Sequence, residues 1–163
     1  MRLFLVAAFS CAAVLSVRAQ ERTSPPKPES EAAQVVGAED LADIMSATQL
    51  RHLKLSFAGS VKNWDLAEYE VARIRKSFAT AAKFYPVFEN VPVAKLIAEI
   101  SEPALAEVDN SIAARDSDAF LKSFAKLTSA CNACHQAAKL GFIKMKVPTA
   151  SPYSNQVFPA AQN

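Results

Sequence analysis

The stretch SDAFLKSFAKLTSACNACHQAAKLG, residues 117–141, decides the fold that this chain is expected to adopt. Its apolar and small side chains recur at steps of three and four residues, which is the spacing of one face of an α-helix. The face carries Phe120, Phe124, Leu127, Cys131, Cys134 and Ala138. We expect Ser117 to cap this helix at its N-terminus and Gly141 to end it. The stretch therefore predicts an amphipathic helix that packs against other helices.

Three earlier segments show the same spacing. The first covers about residues 39–58, and Gly59 and Ser60 are expected to end it. The second begins at an N-cap, Asn63, and stops at Pro86. A short helix follows, and a third main helix starts near residue 103 with Ser101 as its cap. The four segments predict an all-α fold, a four-helix bundle over residues 39–141. Because the link between the first two helices is short, we expect the bundle to be antiparallel.

The last of these helices carries the pentad Cys131-Asn132-Ala133-Cys134-His135. C-x-x-C-H is the attachment sequence of c-type haem, in which the two thiols bind the porphyrin and the imidazole binds the iron. On a helix the His falls within about 40° of the first Cys, so the three side chains face one way. The pentad predicts one haem c near the C-terminal end of the last helix, attached at Cys131 and Cys134, with His135 as the proximal ligand.

Three other interpretations of the pentad compete with haem. A zinc site needs about four ligands, and His52 is the only other histidine in the chain. A thioredoxin-like redox motif lies beside a βαβ pattern, and no strand pattern is found here. A structural disulfide between the two cysteines would not explain the adjacent histidine. Haem is therefore the preferred interpretation.

The N-terminus predicts export. Arg2, an apolar run and the small-residue pattern Val17-Arg18-Ala19 are typical of a signal peptide over residues 1–19, with a retained anchor helix as the alternative. Cleavage would remove Cys11 and leave only the two motif cysteines. Residues 20–38 are rich in Pro, Glu and Ser and predict a disordered linker, whereas residues 142–163 predict an irregular tail. We expect a periplasmic protein with no membrane span after cleavage.

Charge and motif content exclude several classes of function. Without Arg2 and Arg18 the chain has 16 basic and 16 acidic side chains, and a balanced charge argues against a nucleic-acid partner. No catalytic carboxylate pair, nucleophile triad or phosphate loop appears, so we expect no enzyme. Whether two bundles pair as a homodimer is left open.

Four amphipathic helices with C-x-x-C-H near the end of the fourth resemble the cytochrome c′ family of exported four-helix bundles. The resemblance covers roughly residues 39–141 and implies covalent haem at the motif. Family members often place an Arg four residues after the proximal histidine, and here that position is Lys139. The segment around Trp64 and the tail after Gly141 are not family features.

The sixth position on the iron decides between two functions. A Met or His ligand gives a low-spin electron carrier, whereas an apolar pocket leaves the iron open to small gases. Met45 and His52 lie on the seam of the first helix and are the candidate distal ligands, with Met145 in the tail as the next candidate. We expect one-electron transfer with a redox partner protein. The alternatives are a protein that binds NO or CO, and a non-haem helical module with a disulfide.

Overall fold

The regular structure of the chain is helical throughout the part that the computed structural model describes, residues 40–153 and 155–159. The helices are α1 (Leu41–Ser60), α2 (Trp64–Phe84), α3 (Val93–Leu96), α4 (Glu102–Ala113) and α5 (Ser117–Ala137). A π-helical turn, Ile97–Ser101, joins α3 to α4. No strand occurs in the described residues, so the predicted all-α class is confirmed. The predicted signal peptide and linker lie outside them.

The helices form a bundle around one core. α1 packs most extensively on α2 and α4 on α5, while α2 contacts α4 and a shorter stretch of α1 contacts α5. The largest fully buried side chains are Phe120, Phe124, Leu55, Ile74, Leu105, Leu127, Glu70, Val71 and Val108. Burial of the large apolar members of this set is the main stabilising contribution to such a bundle. No helix in the described part of the chain is long and apolar enough to span a membrane.

The third helical stretch is continuous from residue 93 to residue 113 and widens in its middle. The residues on either side of the π-helical turn, Leu96 and Glu102, have right-handed helical backbone angles. Pro103 has no N–H, and a proline ring displaces the carbonyl four residues before it, which accounts for the wider turn here. The helix does not begin at Ser101, whose side chain makes no capping bond. The prediction that Ser101 is an N-cap was therefore wrong.

Three helices end with a basic residue in the left-handed region: Lys62 after α1, Arg115 after α4 and Lys139 after α5, at φ 61°, 52° and 61°. The backbone bonds around each have the Schellman pattern. After α5, for example, Leu140 N–H donates to His135 O at 2.7 Å and Lys139 N–H to Gln136 O at 3.0 Å. The chain therefore turns out of α5 through Lys139, before the predicted Gly141 is reached.

The two tight links use one residue both to end a helix and to cap the next. Asn63 N–H donates to Ala58 O at 2.9 Å, and its side chain accepts from Leu66 N–H at 3.2 Å, so the predicted cap is confirmed. Asp116 has the same double role before α5, where its carboxylate accepts from Asp118 and Ala119 N–H, both at 3.0 Å. The predicted cap Ser117 is instead the first helical residue.

α1 ends at Ser60, as predicted, and Gly59 is its last residue but one. The glycine is buried, and the ring of Phe120 on α5 occupies the space that a Cβ would need. Glycine has low helix propensity. The close approach of α5 is the reason for glycine at this position.

Beyond α5 the chain is irregular and contacts α1. The rings of Phe158 and Phe57 lie 5.4 Å apart, and Asn63 Nδ2 donates to Phe158 O at 2.7 Å. Lys54 Nζ lies 5.0 Å from the ring centre of Tyr153. The tail is thus fastened to the bundle at several places.

Candidate functional site

The C-x-x-C-H pentad lies where the bundle core ends. The buried residues of α5 are Phe120, Ser123, Phe124, Leu127 and Thr128. The motif residues that follow on the same face, Cys131, Cys134 and His135, are only half-buried. The last turns of α5 therefore carry the motif at the edge of the core, where these side chains keep some access to solvent.

The imidazole of His135 has a defined hydrogen-bond partner. Its Nδ1 lies 2.8 Å from the backbone carbonyl oxygen of Ile143. A carbonyl can only accept, so in the neutral ring Nδ1 must carry the proton and Nε2 the lone pair. This is the arrangement that metal-binding histidines use, in which one ring N–H donates to an acceptor while the other nitrogen binds the metal.

Asn132, the second residue of the pentad, binds the tail. Its Nδ2 donates to Met145 O at 3.0 Å, and its Oδ1 accepts from Met145 N–H at 2.7 Å. The tail residues after α5 are thereby brought back onto the helix beside His135. The Ile143 carbonyl reaches the imidazole because the chain follows this path.

The two motif cysteines are free thiols. Burial, with a smaller effect of neighbouring Cys134, raises the pKa of Cys131 to about 11. Burial also raises the pKa of Cys134, opposed by a hydrogen bond with the side chain of Ser101 on the π-helical turn. Both thiols are thus protonated at neutral pH, whereas nucleophilic and redox-active cysteines act as thiolates. The surroundings do not activate these cysteines for that role.

His52 lies on the face of α1 that meets α5, at a level before the motif. It is 3% exposed, its Nε2 lies 2.9 Å from Thr128 Oγ1, and its ring centre lies 4.5 Å from that of Phe124. Thr128 Oγ1 also donates to Phe124 O at 3.0 Å. Since its single proton is used there, the hydroxyl accepts from His52 Nε2–H. Burial lowers the pKa of His52 to about 4, so the ring is neutral at pH 7.

The other two candidate distal ligands differ in their surroundings. Met45, also on α1, is partly buried and packs against the bundle core. Met145 is half-buried, and its backbone is held by Asn132. The structure thus brings His52 to Thr128, one turn before Cys131, and brings Met145 to Asn132 within the motif.

Apolar side chains remain exposed just after the motif. Leu140 is 41% exposed, Phe142 78% and Ile143 42%. Single exposed apolar residues are common, but here three of them lie within eight residues after His135. The apolar surface lies directly after His135 in the chain.

These features fit a haem attached at the motif. The proton on His135 Nδ1 leaves Nε2 able to bind iron, and both thiols are unpaired. Cys131, Cys134 and His135 would hold the group. In the described part of the chain no group of three or more His, Cys, Asp or Glu side chains could hold a bare metal ion. Haem iron, held by the porphyrin, requires only one or two protein ligands.

Sequence reasoning missed the partners of the motif. Asn132 occupies a variable position of C-x-x-C-H, and Ser101 was interpreted as a helix cap. The carbonyl of Ile143 leaves no signal in a sequence, because every residue has one. The presence of an amide side chain inside the motif was the one available sign.

Comparisons with known proteins complete the description of the site. The chain has no match among protein-family models, curated proteins or solved structures. The pentad and the contacts of its residues are therefore the basis for a function.

Proposed function

We propose that this protein is an exported c-type cytochrome that carries one covalent haem and transfers one electron. Cys131 and Cys134 would attach the group, and His135 would be its proximal ligand. When bound, the group supplies reversible one-electron chemistry at its iron. The single observation that carries the proposal is the hydrogen bond from His135 Nδ1–H to Ile143 O, at 2.8 Å, within a C-x-x-C-H motif.

The surroundings of the thiols support haem over a redox-active pair. A redox-active cysteine has a pKa lowered by a positive neighbour or a helix N-terminus. Here burial raises the pKa of both motif cysteines, and the motif lies at a helix C-terminus. The disulfide alternative leaves the hydrogen-bonded His135 without a role.

Contacts between α1 and α5 support an antiparallel arrangement of the bundle. Gly59 lies against Phe120, whereas His52 lies against Phe124 and Thr128. As residue numbers fall along α1, they rise along α5, which is the pattern expected of two helices that run in opposite directions. Continued by two turns, this progression leads from His52 towards Met45 and from Thr128 towards Cys134. Met45 is accordingly the favoured distal ligand, and the electron-transfer function depends on it.

A gas-binding protein is the second candidate function, and the engagement of His52 favours it. The Nε2–H of His52 donates to Thr128 inside the core, so binding of that nitrogen to iron would require the contact to break. If Met45 serves only as core packing, no histidine from α1 is free to fill the sixth position. The iron would then be open to NO or CO.

Absorption spectroscopy separates the two functions. The protein, matured in a host that attaches haem, is measured oxidised, reduced and reduced with carbon monoxide. A low-spin spectrum that becomes high-spin in Met45→Ala, with carbon monoxide bound readily after reduction, supports electron transfer with Met45 as ligand. His52→Ala is the matched variant on the same helix and should leave the spectrum low-spin.

Other outcomes redirect the assignment. A five-coordinate spectrum in the unmutated protein favours gas binding and shows that neither Met45 nor His52 is a distal ligand. If only His52→Ala becomes high-spin, His52 is the ligand and its bond to Thr128 is replaced in the loaded protein. If neither substitution changes a low-spin spectrum, Met145→Ala is the next variant. A protein without any haem absorption contradicts both functions.

A further inference from the structure

We propose that the tail after α5 is a positioning element for His135 and that Asn132 holds it in place. The assignment concerns a residue that the C-x-x-C-H pattern leaves variable. The expected effect on the reduction potential of a bound haem rests on the proposed function. The expected effect on the tautomer of His135 does not.

The tail between α5 and Met145 is tied to the helix at both ends. At its start, Leu140 N–H donates to His135 O at 2.7 Å, and Ile143 N–H donates to Leu140 O at 2.9 Å. At its far end, Met145 exchanges two hydrogen bonds with the side chain of Asn132. Ile143 lies between these two attachments, so they fix the position of its carbonyl oxygen.

The chemistry of Asn suits this role. A side-chain amide offers one donor and one acceptor to a peptide group, and Met145 supplies the complementary N–H and C=O. An aliphatic side chain offers neither. The bonds of 3.0 and 2.7 Å are both within the normal range for N–H···O contacts. Asn132 thus replaces a backbone partner for a segment that has no other regular structure.

The effect on His135 follows from the fixed carbonyl. Ile143 itself is 42% exposed, so side-chain burial alone is incomplete in holding this segment. Without the Asn132 bonds the carbonyl would move away from Nδ1, and the ring would be free to exchange its proton between the two nitrogens. A fixed donor at Nδ1 keeps Nε2 unprotonated, orients the ring and raises the basicity of Nε2 as a ligand.

The test begins with the full-length protein before haem is attached. Long-range ¹H–¹⁵N correlation spectra at alkaline pH, where imidazoles are neutral, report which ring nitrogen carries the proton. We expect His135 to be the Nδ1–H tautomer and His52 to be the Nε2–H tautomer. Asn132→Ala should change His135 to a mixture of tautomers and leave His52 unchanged.

Two further variants separate positioning from a general loss of structure. Ser129→Ala, one turn earlier on α5, removes an exposed hydroxyl that bonds only within its helix, and should leave both tautomers unchanged. Met145→Pro removes the N–H that donates to Asn132 from the other side of the contact, and should act in the same direction as Asn132→Ala. Circular dichroism checks that all variants keep their helix content.

The outcomes overturn the proposal or support it. If His135 is not the Nδ1–H tautomer, or keeps that tautomer in both Asn132→Ala and Met145→Pro, the tail does not position the ring. In protein that carries haem, Asn132→Ala should raise the reduction potential, because a weaker donor nitrogen stabilises ferric iron less, and Ser129→Ala should not. A protein that never acquires haem contradicts the proposed function but leaves the tautomer result valid.

Discussion

The two histidines of this chain lie in different surroundings. One is inside the core between α1 and α5, and the other is at the edge of that core. The core histidine, His52, is buried against Phe124 and donates from Nε2 to Thr128. The motif histidine, His135, is half-buried and donates from Nδ1 to the carbonyl of Ile143. The same side chain is therefore held in opposite tautomers at two levels of one bundle.

This difference teaches that the partner of the imidazole, and not the residue type, decides what the ring can do. At His52 the nitrogen that extends furthest from the backbone is already used inside the core. At His135 that nitrogen is left as a lone pair at the edge of the core. A histidine predicted from sequence to be an iron ligand must have a ring nitrogen that is not already hydrogen-bonded. It must also lie at the right position along its helix.

The largest effect on stability is expected from protonation of the core histidine. Burial lowers the pKa of His52 from 6.5 to about 4, so the unfolded chain binds a proton more readily than the folded protein between these values. The free energy of unfolding should therefore fall as the pH is lowered from about 6.5 to about 4. The loss from this group is limited to about 3 kcal/mol.

Urea unfolding of unmutated protein and of His52→Leu, across this pH range, measures the effect. The variant cannot titrate at residue 52 and should lose this component of the pH dependence. Equal slopes for the two proteins would show that His52 is not held neutral by burial, and the contrast between the two histidines would fail.

The two glycines give a second contrast between the core and the motif end. Gly59→Ala should destabilise the protein by about 1–3 kcal/mol, because the new Cβ would overlap the Phe120 ring inside a filled core. At Gly141 the nearest atom to a new Cβ is Gln136 Cγ, at 3.4 Å, on an exposed side chain that can move. Gly141→Ala should change stability far less. Thermal unfolding of both variants checks this. If Gly141→Ala lowered the unfolding temperature as much as Gly59→Ala, the contrast between a filled core at Gly59 and a neighbour that can move at Gly141 would be wrong.

The smallest effect is expected at the end of α5. Lys139 has φ 61°, a conformation that costs a side chain about 1 kcal/mol and costs glycine little. Lys139→Gly should thus raise the free energy of unfolding by up to about 1 kcal/mol. Lys122→Gly, in the middle of the same helix and exposed, should lower it by a similar amount. Denaturant midpoints of both variants measure the signs, and a destabilised Lys139→Gly would contradict the left-handed helix end.

The sequence predicted the helices far better than their ends. Apolar spacing predicted the all-α class, and the residue type of Asn63 predicted the cap, since both depend on local pattern. Gly59 and Ser60 were expected to end α1, which does end at Ser60, whereas α5 ends at Ala137, before the predicted Gly141, and is followed by Lys139 in left-handed backbone. A glycine chosen for close packing cannot be told from one chosen for a turn without knowing what lies against it.

The motif could be identified from the sequence, but the contacts that support it could not be predicted. C-x-x-C-H identifies Cys131, Cys134 and His135 by spacing alone. The bond from His135 to Ile143 and the contact of His52 with Thr128 depend on backbone path and helix register, which residue types do not encode. For this reason the sequence could nominate His52 as a distal ligand without showing that its Nε2 is engaged.

The central claim is that the motif histidine and its two cysteines hold one haem. The most direct measurement is the intact mass, under denaturing conditions, of protein matured in a host that attaches haem to exported chains. We predict the mass of the chain plus one haem, and the mass of the chain alone for the variant in which Cys131 and Cys134 are both Ala. An unmutated protein whose mass equals that of the bare chain would contradict the account.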